Sequence, residues 1–324
     1  MPPRVQSQRW PSDRAILFVH GIGNANVGDY NALVAQIEQI LGADATRFAV
    51  YFLYYDEIND WFAAKTSAGV GIQQLIGAIR SKSASATTPE LGNAIAEFAG
   101  DVLWPILAAD ARTAIRDTYL NQLRQIVRDG EDSAVAPRNQ RVSIIAHSLG
   151  CFHTYEALWE AATDAGQGLS PARWGVQLEN VIYMASPVQL ISTVAKGIDV
   201  AIPNRDRLHS VSAPTLESPF ETNVAGKAIP SARRTVSITG SLDPVGGHFF
   251  GARAAWAYMN LPAQESYVDE QKLLGDQPQE ALLSAVLHAA LRDDGPPAIT
   301  PANPHDWSAY VRRHGEQIRG WLLS

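Results

Sequence analysis

The sequence contains one cysteine and no long uninterrupted apolar run. Cys151 is the only thiol among 324 residues, so no internal disulfide can form and nothing in the sequence requires an oxidising compartment. The most apolar window, residues 95–109, carries two acidic residues and a proline, which makes it a poor membrane span. The first 14 residues lack the apolar region of a secretory signal. We therefore expect a cytoplasmic protein without stable membrane insertion.

Positive charge, metal motifs and complete nucleotide motifs are also missing. The net charge of −7 argues against a surface that binds nucleic acid. There is no H-E-x-x-H motif and no Cys/His cluster, so we expect no metal. Gly23 and Gly28 have the spacing of a phosphate-binding loop, but Asp29 stands where that loop requires lysine. Gly21 begins a dinucleotide fingerprint in which Asn26 occupies the third glycine position, so we expect no cofactor.

Five short apolar runs are present, and each has the pattern of a strand buried on both faces. They are AILFVH (15–20), AVYFLYY (49–55), VSIIAH (142–147), VIYMAS (181–186) and TVSITG (235–240). Helical patterns over 29–41 and 149–162 follow the first and third runs. Strands that alternate with helices predict an α/β fold with a mostly parallel sheet and helices on both faces.

Residues 56–138 contain no convincing strand and predict a helical insertion before the third of these strands. The predicted helices are 57–79, 89–109 and 110–129. One of them must carry the chain back across the sheet, and whether the others form a mobile lid or pack on the sheet is open. Residues 203–233, rich in Pro, Ser and Asn, predict loops. Because no linker separates independent units, we expect a single domain over 1–324.

The sequence Ala146-His-Ser-Leu-Gly150 links the third strand to a helix and fits a nucleophile elbow. The turn at such an elbow is so tight that the residues two before and two after the serine must be small. Ser148 would then stand exposed at the end of the strand. The alternative is that Ser148 is an ordinary helix N-cap, the commonest use of serine at this position.

A second motif, VHGIG (19–23), directly follows the first strand. An acyl-transfer enzyme needs backbone N–H donors that face the developing oxyanion, and a glycine loop of this kind can supply one. The alternative is a simple turn, in which glycine is common.

Together, AHSLG and VHGIG resemble the α/β-hydrolase superfamily, particularly bacterial serine esterases and lipases whose elbow begins with alanine. The resemblance implies the α/β-hydrolase fold and a catalytic triad in the chain order Ser, acid, His. It also implies an oxyanion hole formed by the backbone N–H groups of Ile22 and Leu149. It covers the two motifs and the order of strands and helices, and it does not extend to 56–138 or 203–233.

The family's acid follows a late strand, and Asp243 holds that place after the run 235–240. The alternative is an ordinary aspartate in a turn before proline. Two histidines follow Asp243 in loops, His305 ahead of the C-terminal helix and His248 five residues after the acid. The family carries its base on a loop like that of His305, which is therefore the preferred base, with His248 as the alternative.

The expected activity is hydrolysis of a carboxylic ester through an acyl-enzyme, with a small-molecule or lipid ester as substrate. Ser148 is the nucleophile, His305 the base and Asp243 the acid that orients it. Cys151 is expected to be a small buried residue rather than a second nucleophile. An acyltransferase that uses the same triad, and a non-enzymatic interaction protein on the same fold, are the alternatives. The oligomeric state is left open.

Overall fold

The computed structural model describes residues 5–21, 27–65, 74, 108–163, 177–187, 191, 232–238 and 307–324. The strands in this part of the chain are β1 (Arg14–Val19), β2 (Phe48–Phe52), β3 (Arg141–His147), β4 (Gln177–Met184) and β5 (Ala232–Ile238). The helices are α1 (Val27–Leu41), α2 (Asp56–Lys65), α3 (Ala109–Asp132), α4 (Leu149–Thr163) and α5 (Trp307–Leu323), with 3₁₀ turns at Gly42–Arg47 and Pro137–Asn139. None of the helices in these ranges combines the length and apolar character that a membrane crossing requires.

The five strands form one parallel sheet in the order β2-β1-β3-β4-β5. The chain moves outward from β1 to β2, then returns past β1 to β3 and continues in the other direction. The strand order therefore reverses between β1 and β3. In open parallel sheets, ligands bind in the crevice outside the carboxyl ends of the strands at such a reversal. The fold places the end of β3, where Ser148 lies, at this point.

The side chains of β1 alternate between two hydrophobic cores, one on each face of the sheet. Leu17 packs with Tyr119 of α3 and Phe152 of α4 on one face. Ile16 packs with residues of α1 and α5, such as Ile318, on the other. Each fully buried side chain of this size contributes about 1.5–3 kcal/mol. Because both faces are covered, the strand reads as a continuous apolar run rather than an alternating one.

The parallel α/β architecture predicted from the sequence is confirmed, and each predicted strand overlaps an observed one. β4 begins at Gln177 and β5 at Ala232, earlier than the apolar runs alone indicate. The reason in β4 is that a polar residue is satisfied in the interior: the buried Asn180 amide donates to Ser143 Oγ at 3.0 Å and to the Trp321 carbonyl at 3.1 Å.

The predicted helix over 110–129 is confirmed as α3, which returns the chain across the sheet from β2 to β3. The predicted helix over 57–79 is observed as α2 up to Lys65. The helix predicted over 89–109 and the loops over 203–233 lie almost entirely outside the described residues, although Ala232 belongs to β5. The single-domain organisation and the lid remain predictions.

A segment before β1 lies along the outer edge of β2, which is an edge of the described sheet. The Gln6 side-chain oxygen accepts the Phe52 N–H at 2.7 Å. The Gln8 amide donates to the Val50 carbonyl. Two glutamine side chains thus bond to the backbone of the edge strand in the way a further strand would.

The same segment is anchored by a buried carboxylate on α3. Asp129 accepts hydrogen bonds from Ser7 Oγ, the Gln8 N–H, the Gln125 amide and the Tyr51 hydroxyl, at 2.7–2.8 Å. Burial, followed by the bond to Asp129, raises the pKa of Tyr51. The phenol therefore stays protonated and keeps donating to the carboxylate.

Candidate active site

Ser148 joins β3 to α4 in a strained backbone conformation. Its φ of +54° lies in the left-handed region, which costs a residue with a side chain about 1–2 kcal/mol. Two backbone hydrogen bonds of 2.9 Å hold it there, from the Ser148 N–H to the Met184 carbonyl and from the Cys151 N–H to the Ser148 carbonyl. A strained residue that its surroundings hold in place marks a candidate functional position.

This geometry differs from that of an ordinary N-cap. An N-cap residue has extended backbone angles, and its side-chain oxygen accepts an N–H from the second or third helical residue. Ser148 is left-handed instead, and the N–H of the third helical residue, Cys151, bonds to its carbonyl oxygen. Leu149 is the first residue of α4, so its N–H has no acceptor within the helix. The strand–turn–helix geometry matches the elbow interpretation.

Two glycines allow the end of β1 to touch the elbow. A Cβ on Gly150 would lie 2.4 Å from the Val19 carbonyl oxygen and 2.5 Å from the His20 carbonyl oxygen. A Cβ on Gly21 would lie 2.4 Å from Ser148 Cβ and 2.9 Å from its Oγ. Gly150, the small residue two positions after the serine that the tight turn predicts, is required here because it contacts the end of β1. The contact between Gly21 and Ser148 could not be predicted from the motifs separately.

The same contact changes one expectation. Ser148 lies at the carboxyl edge of the sheet as predicted, but only 3% of the residue is exposed, so the prediction of an exposed hydroxyl is wrong. Among the described residues, Gly21 contributes to this burial because it lies against the serine side chain.

The backbone after β1 is held by side-chain hydrogen bonds. The Tyr55 hydroxyl donates to the carbonyl of His20. The ring of His20 bonds through Nδ1 to the carbonyl of Gly21 at 2.8 Å, and since a carbonyl only accepts, Nδ1 carries the proton. Two successive carbonyl groups next to the elbow therefore have fixed directions.

The N-terminus of α5 lies beside the elbow. The His147 ring packs edge-on against Trp307, with centroids 5.8 Å apart, and also against Tyr310 at 6.2 Å. The His147 ring also lies 5.8 Å from the ring of His20, measured between centroids. These two histidines contribute packing and backbone contacts around the serine.

Two further residues lie in the first turns of α4. Burial, and then the nearby Arg112 charge, lower the pKa of His153 to about 3, so its imidazole is neutral at ordinary pH. Cys151 is fully buried, and its thiol donates to the Met184 carbonyl at 3.3 Å. The prediction that Cys151 is a small buried residue is confirmed.

The structure describes part of the predicted site. Ser148 and Leu149 are placed together at the start of α4, whereas Ile22, Asp243, His305 and the alternative base His248 lie outside the described residues. The described residues contain no group of three or more His, Cys, Asp or Glu that could hold a metal ion.

Comparisons of the chain with protein-family models, with curated proteins and with solved structures find no match. Fold and site define the chain as a parallel α/β protein. A serine with a strained backbone lies in its turn from a strand to a helix, at the point where the strand order reverses. The functional interpretation depends on that geometry.

Proposed function

We propose that the chain is a serine hydrolase of the α/β-hydrolase type that cleaves carboxylic esters. The observation that carries the proposal is the conformation of Ser148: a left-handed serine between a buried strand and a helix, with Gly21 against its side chain. A non-glycine residue in this conformation at the reversal of strand order favours a nucleophile over a structural cap.

In this mechanism Ser148 Oγ attacks the ester carbonyl while His305 removes its proton. The tetrahedral oxyanion accepts hydrogen bonds from the backbone N–H groups of Ile22 and Leu149. The C–O bond to the alcohol then breaks, and His305 returns the proton to the leaving alcohol. Water, activated by the same histidine, releases the acid and regenerates Ser148. Asp243 keeps the imidazole in the required tautomer.

Chain connectivity supports His305 as the base. Trp307 begins α5, and its ring lies 5.8 Å from the ring of His147, the residue before the nucleophile. Two residues span at most about 7 Å of chain, so His305 cannot lie far from Trp307. His248 is the tenth residue after the end of β5 at Ile238, a span that places no comparable limit on its position.

Connectivity also supports Asp243. It is the fifth residue after the end of β5, a span of at most about 17 Å. β5 lies two strands from β3, a distance of about 10 Å in the sheet. The acid is therefore within reach of a histidine that stands over the elbow.

The test is the reaction of Ser148 with a fluorophosphonate, combined with turnover of p-nitrophenyl esters of increasing chain length. The wild-type protein should label once and hydrolyse at least one ester, and Ser148→Ala should do neither while melting normally. Mass spectrometry should place the label on Ser148. Normal turnover by a pure Ser148→Ala protein, or a wild-type protein that neither labels nor hydrolyses, would contradict the proposal. Ester exchange products formed in the presence of a competing alcohol would instead identify an acyltransferase.

A further inference from the structure

We infer that Tyr55 is a positioning residue that holds the loop after β1 in the orientation needed for oxyanion stabilisation. The inference rests on the proposed function and extends it to a residue outside both recognised motifs. Tyr55 lies between β2 and α2, more than 30 residues from the glycine loop and more than 90 from the nucleophile.

Three separate contacts fix Tyr55. Its side chain is fully buried, and its ring packs edge-on against His153 of α4 with centroids 4.9 Å apart. Its carbonyl oxygen accepts the N–H groups of Ile58 and Asn59, at 2.9 and 3.2 Å, and so starts α2. Because ring and backbone are both held, the hydroxyl reaches the His20 carbonyl from a fixed position.

The carbonyl that Tyr55 holds lies against the elbow. The space between the His20 oxygen and the Gly150 Cα is so small that an added Cβ would come within 2.5 Å of that oxygen. In a trans peptide the C=O and N–H groups point in opposite directions, so fixing the His20 carbonyl also fixes the direction of the Gly21 N–H.

The next peptide is held in a related way. The Gly21 carbonyl accepts the Nδ1 proton of the His20 ring at 2.8 Å. The expected oxyanion donor, the N–H of the next residue in the chain, is covalently part of the peptide group to which this carbonyl belongs. Tyr55 thus holds the His20 carbonyl, and the His20 ring holds the Gly21 carbonyl.

The flexibility of Gly21 is the reason that the hydrogen bonds to the His20 and Gly21 carbonyl groups are needed. Gly21 must be glycine because its Cα touches Ser148, and glycine is the residue with the most backbone freedom. An oxyanion donor contributes roughly 100- to 1,000-fold to kcat only when it is held in place beforehand. Loosening the peptide without removing the donor should therefore cost part of that factor, about tenfold.

The test compares Tyr55→Phe with Tyr119→Phe, a matched control. Tyr119 is equally buried and donates to Thr154 on the same helix α4, at 3.2 Å. For Tyr55→Phe we expect kcat on a p-nitrophenyl ester to fall about tenfold with KM within twofold of wild type. The affinity for a trifluoromethyl ketone, which forms a tetrahedral oxyanion on the serine, should fall by the same factor. Tyr119→Phe should change neither quantity.

The outcomes separate this inference from the proposed function. If the wild-type protein labels and turns over but Tyr55→Phe keeps full kcat and full ketone affinity, the inference is wrong and the proposed function stands. Equal losses in both variants, or a Tyr55→Phe protein that unfolds where Tyr119→Phe folds, would show that the phenol serves the fold and would also overturn the inference. If wild-type protein is inert to the fluorophosphonate, it is the proposed function that fails.

Discussion

Substituting Gly150 by alanine should move the end of β1 and the elbow apart. The new Cβ would lie 2.4 Å from the Val19 oxygen and 2.5 Å from the His20 oxygen, and both are backbone atoms that cannot rotate away. An ordinary contact begins near 3.4 Å, so strand and helix must separate by about 1 Å (3.4 − 2.4). Overpacking of this kind costs up to about 3 kcal/mol. Alanine recovers about 1 kcal/mol of helix propensity, which leaves a net loss of about 2 kcal/mol.

The control for this substitution is Gly320→Ala in α5. Gly320 is exposed, and an added Cβ there would meet nothing within 4 Å. That variant should gain up to about 1 kcal/mol, because only the helix propensity changes. Urea unfolding at equilibrium measures both, with m-values that should stay constant. The two substitutions should change the free energy of unfolding in opposite directions. A Gly150→Ala protein as stable as Gly320→Ala would refute the close approach of β1 to the elbow.

Three further predictions concern the site. Gly21→Ala should leave the protein folded but abolish fluorophosphonate labelling, because its Cβ would overlap the Ser148 side chain; normal labelling would contradict the observed contact. His305→Ala should lower kcat to the level of Ser148→Ala, on the order of 1,000-fold or more, whereas His248→Ala should cost at most about tenfold; the reverse result would make His248 the base. The pKa of His153 is lowered from 6.5 to about 3, so between these values its imidazole is protonated only in the unfolded chain. The free energy of unfolding should therefore fall as the pH drops through this window, by at most about 1.4 kcal/mol per pH unit. Urea midpoints for His153→Gln should show a shallower decline, and an unchanged decline would mean that other groups cause it.

The parts of the fold set by local pattern were predictable from the sequence. A strand covered on both faces must be apolar almost throughout, so the continuous apolar runs in the sequence predict β1 and β3. The small residues around Ser148 follow from the tight turn and predicted the elbow. These features depend on residues that are close together in the chain.

The parts that depend on distant residues were not predictable. Asn180 lies inside a strand because Ser143 and a carbonyl of α5 satisfy its amide, and a sequence shows only that it is polar. The burial of Ser148 and the bond from Tyr55 to His20 arise where loops from different strands meet at one edge of the sheet. These contacts could not be predicted from the spacing of residues in the sequence.

The glutamines beside β2 have a consequence for how the protein behaves at high concentration. An unpaired edge strand offers N–H and C=O groups that can pair with the edge of a second molecule and begin aggregation. Gln6 and Gln8 occupy such groups on Phe52 and Val50 with side chains, which cannot extend into a further ladder. At this edge of the described sheet, the segment therefore removes a template on which a second copy could assemble.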